Sequence, residues 1–311
     1  MKKKLSEMML VVLKGIGMGA ANVIPGVSGG TIALITGIFE RLINALKSFD
    51  ASAIKLLFKG KINELIKHID FYFLVAVFTG MLISIFSLAR IFEYLFANYP
   101  VYIWAYFFGL ILASVYFVGK TIEKWRLSVV ITFIIGTAIA VILSFLNPAV
   151  QNDSFFYLII CGVVAICSMI LPGLSGSFIL VLMGNYELVM IHAINDFNLK
   201  IIIPVGIGAV VGLIAFSHFL SWILKKYKDQ TIAILTGFIL GSLSVIWPWK
   251  NAIYRTNEFG EFILKKGEKI VQGYKLCIPD NMNTDVLFAL LFMILGIVSI
   301  ILIEKLASTK N

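Results

Sequence analysis

Two short segments of the chain carry residues that are suited to binding an anion. Both have the form Pro-Gly-X-Ser-Gly, one over 25–29 and the other over 172–176. Proline disfavours helix at the residue before it and glycine permits a sharp turn, so one helix should end before each motif and another should begin at its serine. Such a serine caps the new helix, and the first N–H groups of a helix that are left free can bind phosphate. The candidate phosphate-binding residues are Ser28, Gly29, Gly30, Thr31, Ser175, Gly176 and Ser177.

The two motifs belong to a duplicated unit. A constant offset of 147 residues pairs Ser28 with Ser175 and Gly37 with Gly184. A shorter offset of 128 residues pairs Gly80 of the first half with Gly208 of the second. Agreement in register over several elements indicates an internal duplication. We therefore expect two repeats, 1–146 and 147–311.

The elements that position these motifs must lie in a membrane. The 311 residues are 60% hydrophobic and 14% charged, and the mean hydropathy is +0.97. A soluble domain is about 45–50% apolar and about 25% charged, so this chain lacks the polar surface that a soluble fold needs. Several apolar runs are long enough to cross a bilayer core of about 30 Å. The composition predicts an all-α polytopic membrane protein.

Each half is predicted to contain one PGxSG re-entrant helical hairpin followed by three transmembrane helices. In the first half these are hairpin 8–46 and spans 71–96, 101–119 and 127–146. In the second half they are hairpin 155–194 and spans 200–224, 231–249 and 284–304, with a loop over 250–283. A second interpretation stays open, in which each motif is only a kink between two full spans.

The distribution of charge predicts the orientation of the chain. The net charge of +9 fits the enrichment of Lys and Arg in cytoplasmic loops better than it fits binding to nucleic acid. With both termini in the cytoplasm, 16 of the 26 Lys and Arg residues lie inside, and the six outside all belong to loop 250–283. A hairpin returns to its own side and three spans change sides, so the halves become inverted-topology repeats, as in many secondary transporters. That symmetry would bring the two turns together near the bilayer midplane.

Two basic groups within the apolar segments are further candidates. Arg90 lies in span 71–96, where a cation is costly and often functional, and it could capture a phosphate that arrives from outside. Alternatively it pairs with Glu93 and reaches the outer interface. The offset of 128 places His218 at the matching position of the second half, as a gating group or as a hydrogen-bonded interior histidine.

Glu40 and Glu187 are paired by the repeat and fall near the outer ends of the second hairpin arms. Either acid could carry a coupling proton or bind a cation, and Arg41 adjoins the first. Equally, both acids could be interfacial. Asn22 and Asn185 could line the cavity. The three cysteines and three histidines show no metal-ligand spacing, so we expect neither a metal nor another cofactor.

The motif segments resemble a known family. GMGAANVIPGVSGGTIALITGIFERLI and PGLSGSFILVLMGNYELV are similar to the polyprenyl-phosphate transporters of bacteria and archaea. The resemblance implies a plasma-membrane flippase that returns undecaprenyl phosphate from the outer to the cytoplasmic leaflet for cell-wall and surface-polymer synthesis. Its partners would be this lipid and the surrounding membrane lipids. Glu40 and Arg41 match the FERL segment of the family, whereas Phe178 and Leu188 depart from it in the second copy, so the resemblance does not imply a symmetric site.

Two other functions stay open beside the flippase. A transporter of a small water-soluble anion would use the same helix starts. An undecaprenyl-diphosphate phosphatase also contains inverted hairpins, but its loop carries an arginine after the serine. Here Gly29 and Gly176 occupy that position, and phosphoryl transfer without a charged clamp is poorly stabilised, so we do not expect an enzyme.

Overall fold

The computed structural model describes residues 2–23, 28–146, 149–193, 196–254, 264–265, 268–269, 271–279 and 281–308. Within these residues helices dominate, which confirms the predicted all-α class of polytopic membrane protein. Four of the described helices are long and apolar enough to cross a membrane, and the number rises to as many as six if each of two bent helix pairs counts as one span.

The first half contains eight helices within the described residues. They are α1 (Lys2–Val23), α2 (Gly29–Ile35), α3 (Phe39–Lys47), α4 (Ala51–Phe58), α5 (Ile62–His68), α6 (Phe71–Asn98), α7 (Pro100–Gly119) and α8 (Leu127–Phe145). Helices α1 to α3 occupy the predicted hairpin, and α6 to α8 occupy the three predicted spans. The short α4 and α5 lie in the lysine-rich connection between them.

The second half has a similar order of elements among its described residues, without counterparts of α4 and α5. It contains α9 (Phe155–Ile170), α10 (Gly176–Leu182), a π-helical turn (Glu187–His192), α11 (Leu199–Lys226), α12 (Lys228–Ser242) and α13 (Thr284–Ser308). Helix α9 has 16 residues, which at 1.5 Å per residue is about 24 Å, less than the thickness of a bilayer core. This first arm is therefore too short to cross the hydrocarbon core alone.

Both second hairpin arms are broken, which the sequence analysis did not predict. Gly37 ends α2 with a φ of +71°, and the paired Gly184 follows α10 with a φ of +72°. Glycine adopts this left-handed backbone readily, whereas other residues do so only with strain. The break turns α3 by 118° from the axis of α2.

Two further segments differ from the expectation. Helix α12 ends at Ser242, short of the predicted 249, and Pro248 disfavours helix at the residue before it. Loop 250–283 contains antiparallel strands, which the all-α expectation omitted. Strand β1 (Lys250–Tyr254) pairs with β4 (Val271–Leu276), and β2 (Leu264–Lys265) pairs with β3 (Glu268–Lys269).

One end of loop 250–283 is anchored to the helical bundle by Lys250. Its Nζ atom lies 3.8 Å from the centroid of the Trp104 ring and donates to the carbonyl oxygen of Val245 at 2.9 Å. Burial lowers the pKa of Lys250 to about 8, because the low-dielectric surroundings disfavour the ammonium. The ring and the carbonyl partly replace the water that the ammonium has lost.

The same helix pairs recur in the two halves. Helix α1 packs on α6, and α9 packs on α11. Gly15 lies directly against the backbone of Val77, and the paired Gly162 lies against that of Val205. Each of these glycines lacks room for a Cβ atom, so the small residues of the repeat permit the close helix crossing.

The remaining spans pack between the halves. Helix α7 lies on α13, and α8 lies on α12. A buried cluster that includes Ile43, Leu224, Leu235 and Phe238 links the first hairpin to α11 and α12. The hairpins are therefore held by spans that come from both halves.

Candidate functional site

The two PGxSG motifs lie against each other. Ser28 Oγ donates to the carbonyl oxygen of Leu171 at 3.3 Å, and the N–H of Gly173 donates to Thr31 Oγ1 at 2.9 Å. Ser28 and Thr31 are buried, at 3% and 0% exposure. The start of α2 in the first hairpin therefore meets the turn of the second hairpin. Residues 25–27 of the first motif lie outside the described residues.

The start of α2 in the first motif is already saturated with hydrogen bonds. The N–H of Gly29 donates to Asn22 Oδ1 at 2.7 Å, and that of Gly30 donates to Ser28 Oγ at 3.1 Å. The N–H of Thr31 donates to the carbonyl oxygen of Ser28 at 3.0 Å. The expectation that this helix start presents free N–H groups is therefore wrong for the first copy. The chain supplies its own acceptors.

The start of α10 in the second motif is open. Ser175 is the cap residue by position, but its side chain makes no capping bond, and its Oγ atom lies 2.8 Å from the exposed Ser177 Oγ. The N–H groups of Gly176 and Ser177 meet no acceptor among the residues that the structure describes. Met169 occupies the position that Asn22 has in the first copy, and a thioether replaces that amide oxygen.

Close approach explains two of the glycines at this contact. A Cβ atom on Gly30 would lie 2.7 Å from the carbonyl oxygen of Ile170. A Cβ atom on Gly173 would lie 2.6 Å from the Phe238 backbone, and Gly173 also has a φ of +81°. These positions need glycine because the opposite turn and α12 press against them.

The described part of both turns carries no charged side chain. Hydroxyl and N–H groups are the donors that it offers to an anion. Arg90 lies within α6, and its side chain is outside the described residues. No three His, Cys, Asp or Glu side chains come together in the described parts of the chain, so these residues form no cluster that could hold a metal ion.

Glu40 and Arg41 lie at the start of α3, away from the turn, and contact other elements. Arg41 Nε donates to Asp70 Oδ2 at 2.6 Å, and its guanidinium lies 4.3 Å from the centroid of the Phe73 ring. Glu40 Oε1 lies 3.9 Å from Lys228 Nζ. The structure thus groups these two candidates with the ends of α5 and α11 rather than with the phosphate-binding motifs.

His218 and Glu187 are also separate from the described hydrogen bonds between the turns. His218 Nδ1 lies 2.9 Å from the carbonyl oxygen of Ile214, one turn earlier in α11, so the ring bonds its own helix. Glu187 is exposed at the first position of the π-helical turn.

Asn22 has a more definite place than the sequence suggested, because it caps α2 instead of only facing a cavity. Asn185 bonds both the N–H and the carbonyl of Asn152, at 2.9 and 2.7 Å, and so fixes the approach to α9. Lys228 and Asp70 were not identified as partners of Glu40 and Arg41. Their charges were visible in the sequence, but they are far from α3 along the chain.

Comparisons with known proteins agree with the motif resemblance. The model of the undecaprenyl phosphate translocase-like (VCA0040-like) family matches residues 18–263. A polyprenyl-phosphate transporter of Vibrio cholerae serotype O1 is 39% identical over 296 residues, which are 95% of this chain and 96% of that protein. A polyprenyl-phosphate transporter of Staphylococcus aureus is 31% identical over 266 residues, covering 76% of this chain and 85% of the relative. No solved structure matches the chain.

These relatives are named as transporters, and the residues that match the family model include both PGxSG motifs. The chain is a multi-pass membrane protein, and it belongs to the undecaprenyl phosphate translocase-like family.

Proposed function

We propose that this protein moves a polyprenyl phosphate such as undecaprenyl phosphate from the outer to the cytoplasmic leaflet of the cell membrane. The names of its relatives support the lipid substrate. The observation that carries the proposal is the contact between the two PGxSG motifs, where Ser28 and Thr31 bond the backbone around Pro172. Opposed helix starts without charged groups provide donors for a phosphate while leaving an apolar surrounding for an isoprenoid chain.

The phosphate first engages the second motif. Ser175 and Ser177 offer hydroxyl groups, and Gly176 and Ser177 offer N–H groups without a described acceptor. Hydrogen bonds to a charged acceptor are worth about 1.5–3 kcal/mol each, so two or three of them hold a phosphate without a fixed cation. Arg90 of α6 brings the anion toward this point from outside.

Ser28 and Thr31 take part through their hydroxyl groups after the turns separate, because both hydroxyls bond the opposite hairpin in the closed contact. The N–H groups of Gly29, Gly30 and Thr31 are bonded within the first hairpin and hold this helix start in place beside the phosphate. Separation of the turns would free Ser28 Oγ from Leu171, and phosphate oxygens would replace the carbonyl acceptor. The free energy of phosphate binding thus offsets the loss of the contact between the turns. A ligand drives a conformational change only when it binds one state more tightly than the other, and the separated state would bind the phosphate more tightly here.

The two halves act as inverted repeats with both termini in the cytoplasm, so that each hairpin is accessible from a different face. The lysines of the connection between α3 and α6 and those at the junction of α11 and α12 then lie on the cytoplasmic side. Glu40 and Glu187 are the candidate sites for a coupling proton or cation, with Arg41 and His218 as gating groups.

Transport of a small anion is the second candidate, because the open start of α10 recognises the phosphate and not the lipid tail. Catalysis is disfavoured by the residues themselves. Gly29 and Gly176 follow the motif serines, so neither position supplies the cationic group that stabilises phosphoryl transfer.

The test uses purified protein in vesicles that contain labelled undecaprenyl phosphate, with leaflet exposure followed over time. We expect faster exchange than in protein-free vesicles, and slower exchange in the Ser28→Ala, Ser175→Ala double variant at equal insertion. Ser6→Ala, a serine outside both motifs, provides the matched control. Exchange at the protein-free rate would refute the flippase, and release of phosphate from the lipid diphosphate would favour the enzyme. Uptake of inorganic phosphate without lipid exchange would favour the small-anion transporter.

A further inference from the structure

A small polar cavity lies between α3 and the junction of α11 with α12, and no residue of the two PGxSG motifs lines it. Its volume is about 190 Å³. Glu40 and Asn44 of α3 line it on one side, and Ser221, Lys225 and Lys228 line it on the other. We propose that this cavity is a second phosphate-binding site, in which Lys225 and Lys228 bind the anion.

The cavity offers several hydrogen-bond donors and two cations. Ser221 is buried, at 2% exposure, and its Oγ donates to Asn44 Oδ1 at 3.0 Å. The Asn44 Nδ2 group meets no acceptor among the described residues, which leaves its two N–H donors for a ligand. Ammonium groups are common ligands of phosphate, and an amide donor beside them fixes the orientation of the bound phosphate.

The carboxylate of Glu40 holds one of the two cations only loosely. Its Oε1 lies 3.9 Å from Lys228 Nζ, beyond hydrogen-bond distance, and both side chains are more than half exposed. A pair of this kind contributes about 0–1 kcal/mol. A phosphate dianion that accepts hydrogen bonds from Lys225 and Lys228 therefore competes well with Glu40.

The size of the cavity and its helix end favour the same ligand. A volume of about 190 Å³ accommodates a phosphate group. The 15-residue helix α12 begins at Lys228, and its cap residue Tyr227 makes no side-chain capping bond. The positive end of that helix dipole adds to the field of the two lysines.

The cavity is connected to the motifs by continuous packing. Ile170 and Leu174 of the second turn belong to the same buried cluster as Ile43 and Leu224, which lie at the cavity. Resting on the proposed function, we assign this site to the phosphate after it has left the turns and before its release on the lysine-rich side. The ligand chemistry itself, a phosphate or phosphate monoester, follows from the cavity alone.

The test measures binding by titration calorimetry with two probes, farnesyl phosphate and inorganic phosphate, on full-length protein in nanodiscs. Ser175→Ala and Ser177→Ala are present throughout, so that the second motif has lost both of its hydroxyl donors. Lys225→Gln with Lys228→Gln should weaken the binding of at least one probe about tenfold, a loss of about 1.4 kcal/mol. Lys226→Gln is the matched control, because Lys226 lies over the rings of Trp222 and Tyr227 and does not line the cavity. Lys226→Gln should bind both probes as tightly as the protein that carries only the two serine substitutions.

Glu40→Gln supplies a change of opposite sign. Removing the competing carboxylate should raise the affinity about two- to fivefold, since a surface pair of this kind is worth less than about 1 kcal/mol. Tighter binding of farnesyl phosphate than of inorganic phosphate identifies a lipid headgroup as the ligand, and equal binding identifies the free ion. Unchanged affinity in the double glutamine variant, or weaker binding in Glu40→Gln, would overturn the proposal.

The vesicle assay separates this inference from the proposed function. If the parent protein exchanges undecaprenyl phosphate and the double glutamine variant retains full phosphate affinity, the second site is refuted and the flippase stands. If the parent protein exchanges no lipid but the double glutamine variant loses phosphate affinity, the flippase is refuted and the second phosphate site stands.

Discussion

The two copies of the PGxSG motif differ in which donors their helix starts leave open. In the first copy Asn22 and Ser28 accept the N–H groups of Gly29 and Gly30, and the serine is buried. In the second copy Ser175 caps nothing and Ser177 is exposed. The two helix starts therefore differ in their chemistry. The start of α2 bonds the opposite hairpin, and the start of α10 leaves its donors open.

Two substitutions between the copies account for this difference. Asn22 corresponds to Met169, so the second helix start lacks an amide oxygen. Thr31 corresponds to Phe178, so only the first copy supplies a hydroxyl that can accept the N–H of the opposite turn. This bond is thus one-sided, because Thr31 of the first motif supplies the acceptor and Gly173 of the second motif supplies the donor.

The strongest test of the contact is Gly173→Ala. The added Cβ would lie 2.6 Å from the Phe238 backbone, and alanine at a φ of +81° is strained by about 1–2 kcal/mol before the clash is counted. We expect loss of most monodisperse protein in detergent. Gly37→Ala is the control, since its φ is +71° but nothing lies within 4 Å of the new atom. Equal yields for the two variants would show that the turn does not press on α12.

Thr31→Val tests the one-sided bond between the turns. It removes the acceptor of the buried Gly173 N–H, and an unsatisfied buried donor costs about 1–3 kcal/mol. The thermal unfolding midpoint should fall, whereas Thr31→Ser should keep it near the parent value. A midpoint in Thr31→Val equal to that of the parent protein would show that this bond does not stabilise the contact between the hairpins.

Met169→Asn would make the second copy resemble the first. The new amide oxygen should accept the N–H of Gly176, as Asn22 accepts that of Gly29, and withdraw it from the phosphate. Loss of one hydrogen bond to a charged group predicts about a tenfold slower lipid exchange with little change in stability. Met169→Leu keeps an apolar side chain and should exchange at the parent rate. Full activity of Met169→Asn would mean that this N–H does not serve the substrate.

Asn22→Ala should have the smallest effect of the four. It removes one capping acceptor at the start of α2, and such caps are worth about 0.5–2 kcal/mol. The midpoint of thermal unfolding should fall by a few degrees, with exchange reduced in proportion to the folded fraction. Met169→Ala, which has no such bond to lose, is the paired control. A fall in exchange rate well beyond the loss of folded protein would place Asn22 in the substrate path instead.

Much of the fold was predictable because apolar length and repeat register are properties of the sequence. The predicted spans 101–119 and 127–146 match α7 and α8 to within one residue at each end. The breaks at Gly37 and Gly184 were not predicted, although the repeat pairs them. A glycine in an apolar run is compatible with an intact helix, and only the tertiary structure determines its φ.

The candidate site was predictable in outline and not in its hydrogen bonds. The Ser and Gly residues of the motifs indicated two helix starts, and both are present at Gly29 and Gly176. The saturation of the first start depends on Asn22, whose side-chain orientation follows from packing of α1 against α2. The grouping of Glu40 with Lys228 depends on where α3 points after its 118° bend. Neither direction is encoded by local spacing.

The pattern of helix pairs has a consequence for synthesis of the protein. Helix α1 finds its main partner, α6, within the first half, so this pair can form as soon as α6 has left the ribosome. Helices α7 and α8 find their main partners in α13 and α12, which are made last. Their close glycine faces, at Gly109 and Gly136, must wait for the second half to arrive. A nascent chain that stops after α8 would therefore expose two unpartnered helices to the quality-control proteases of the membrane.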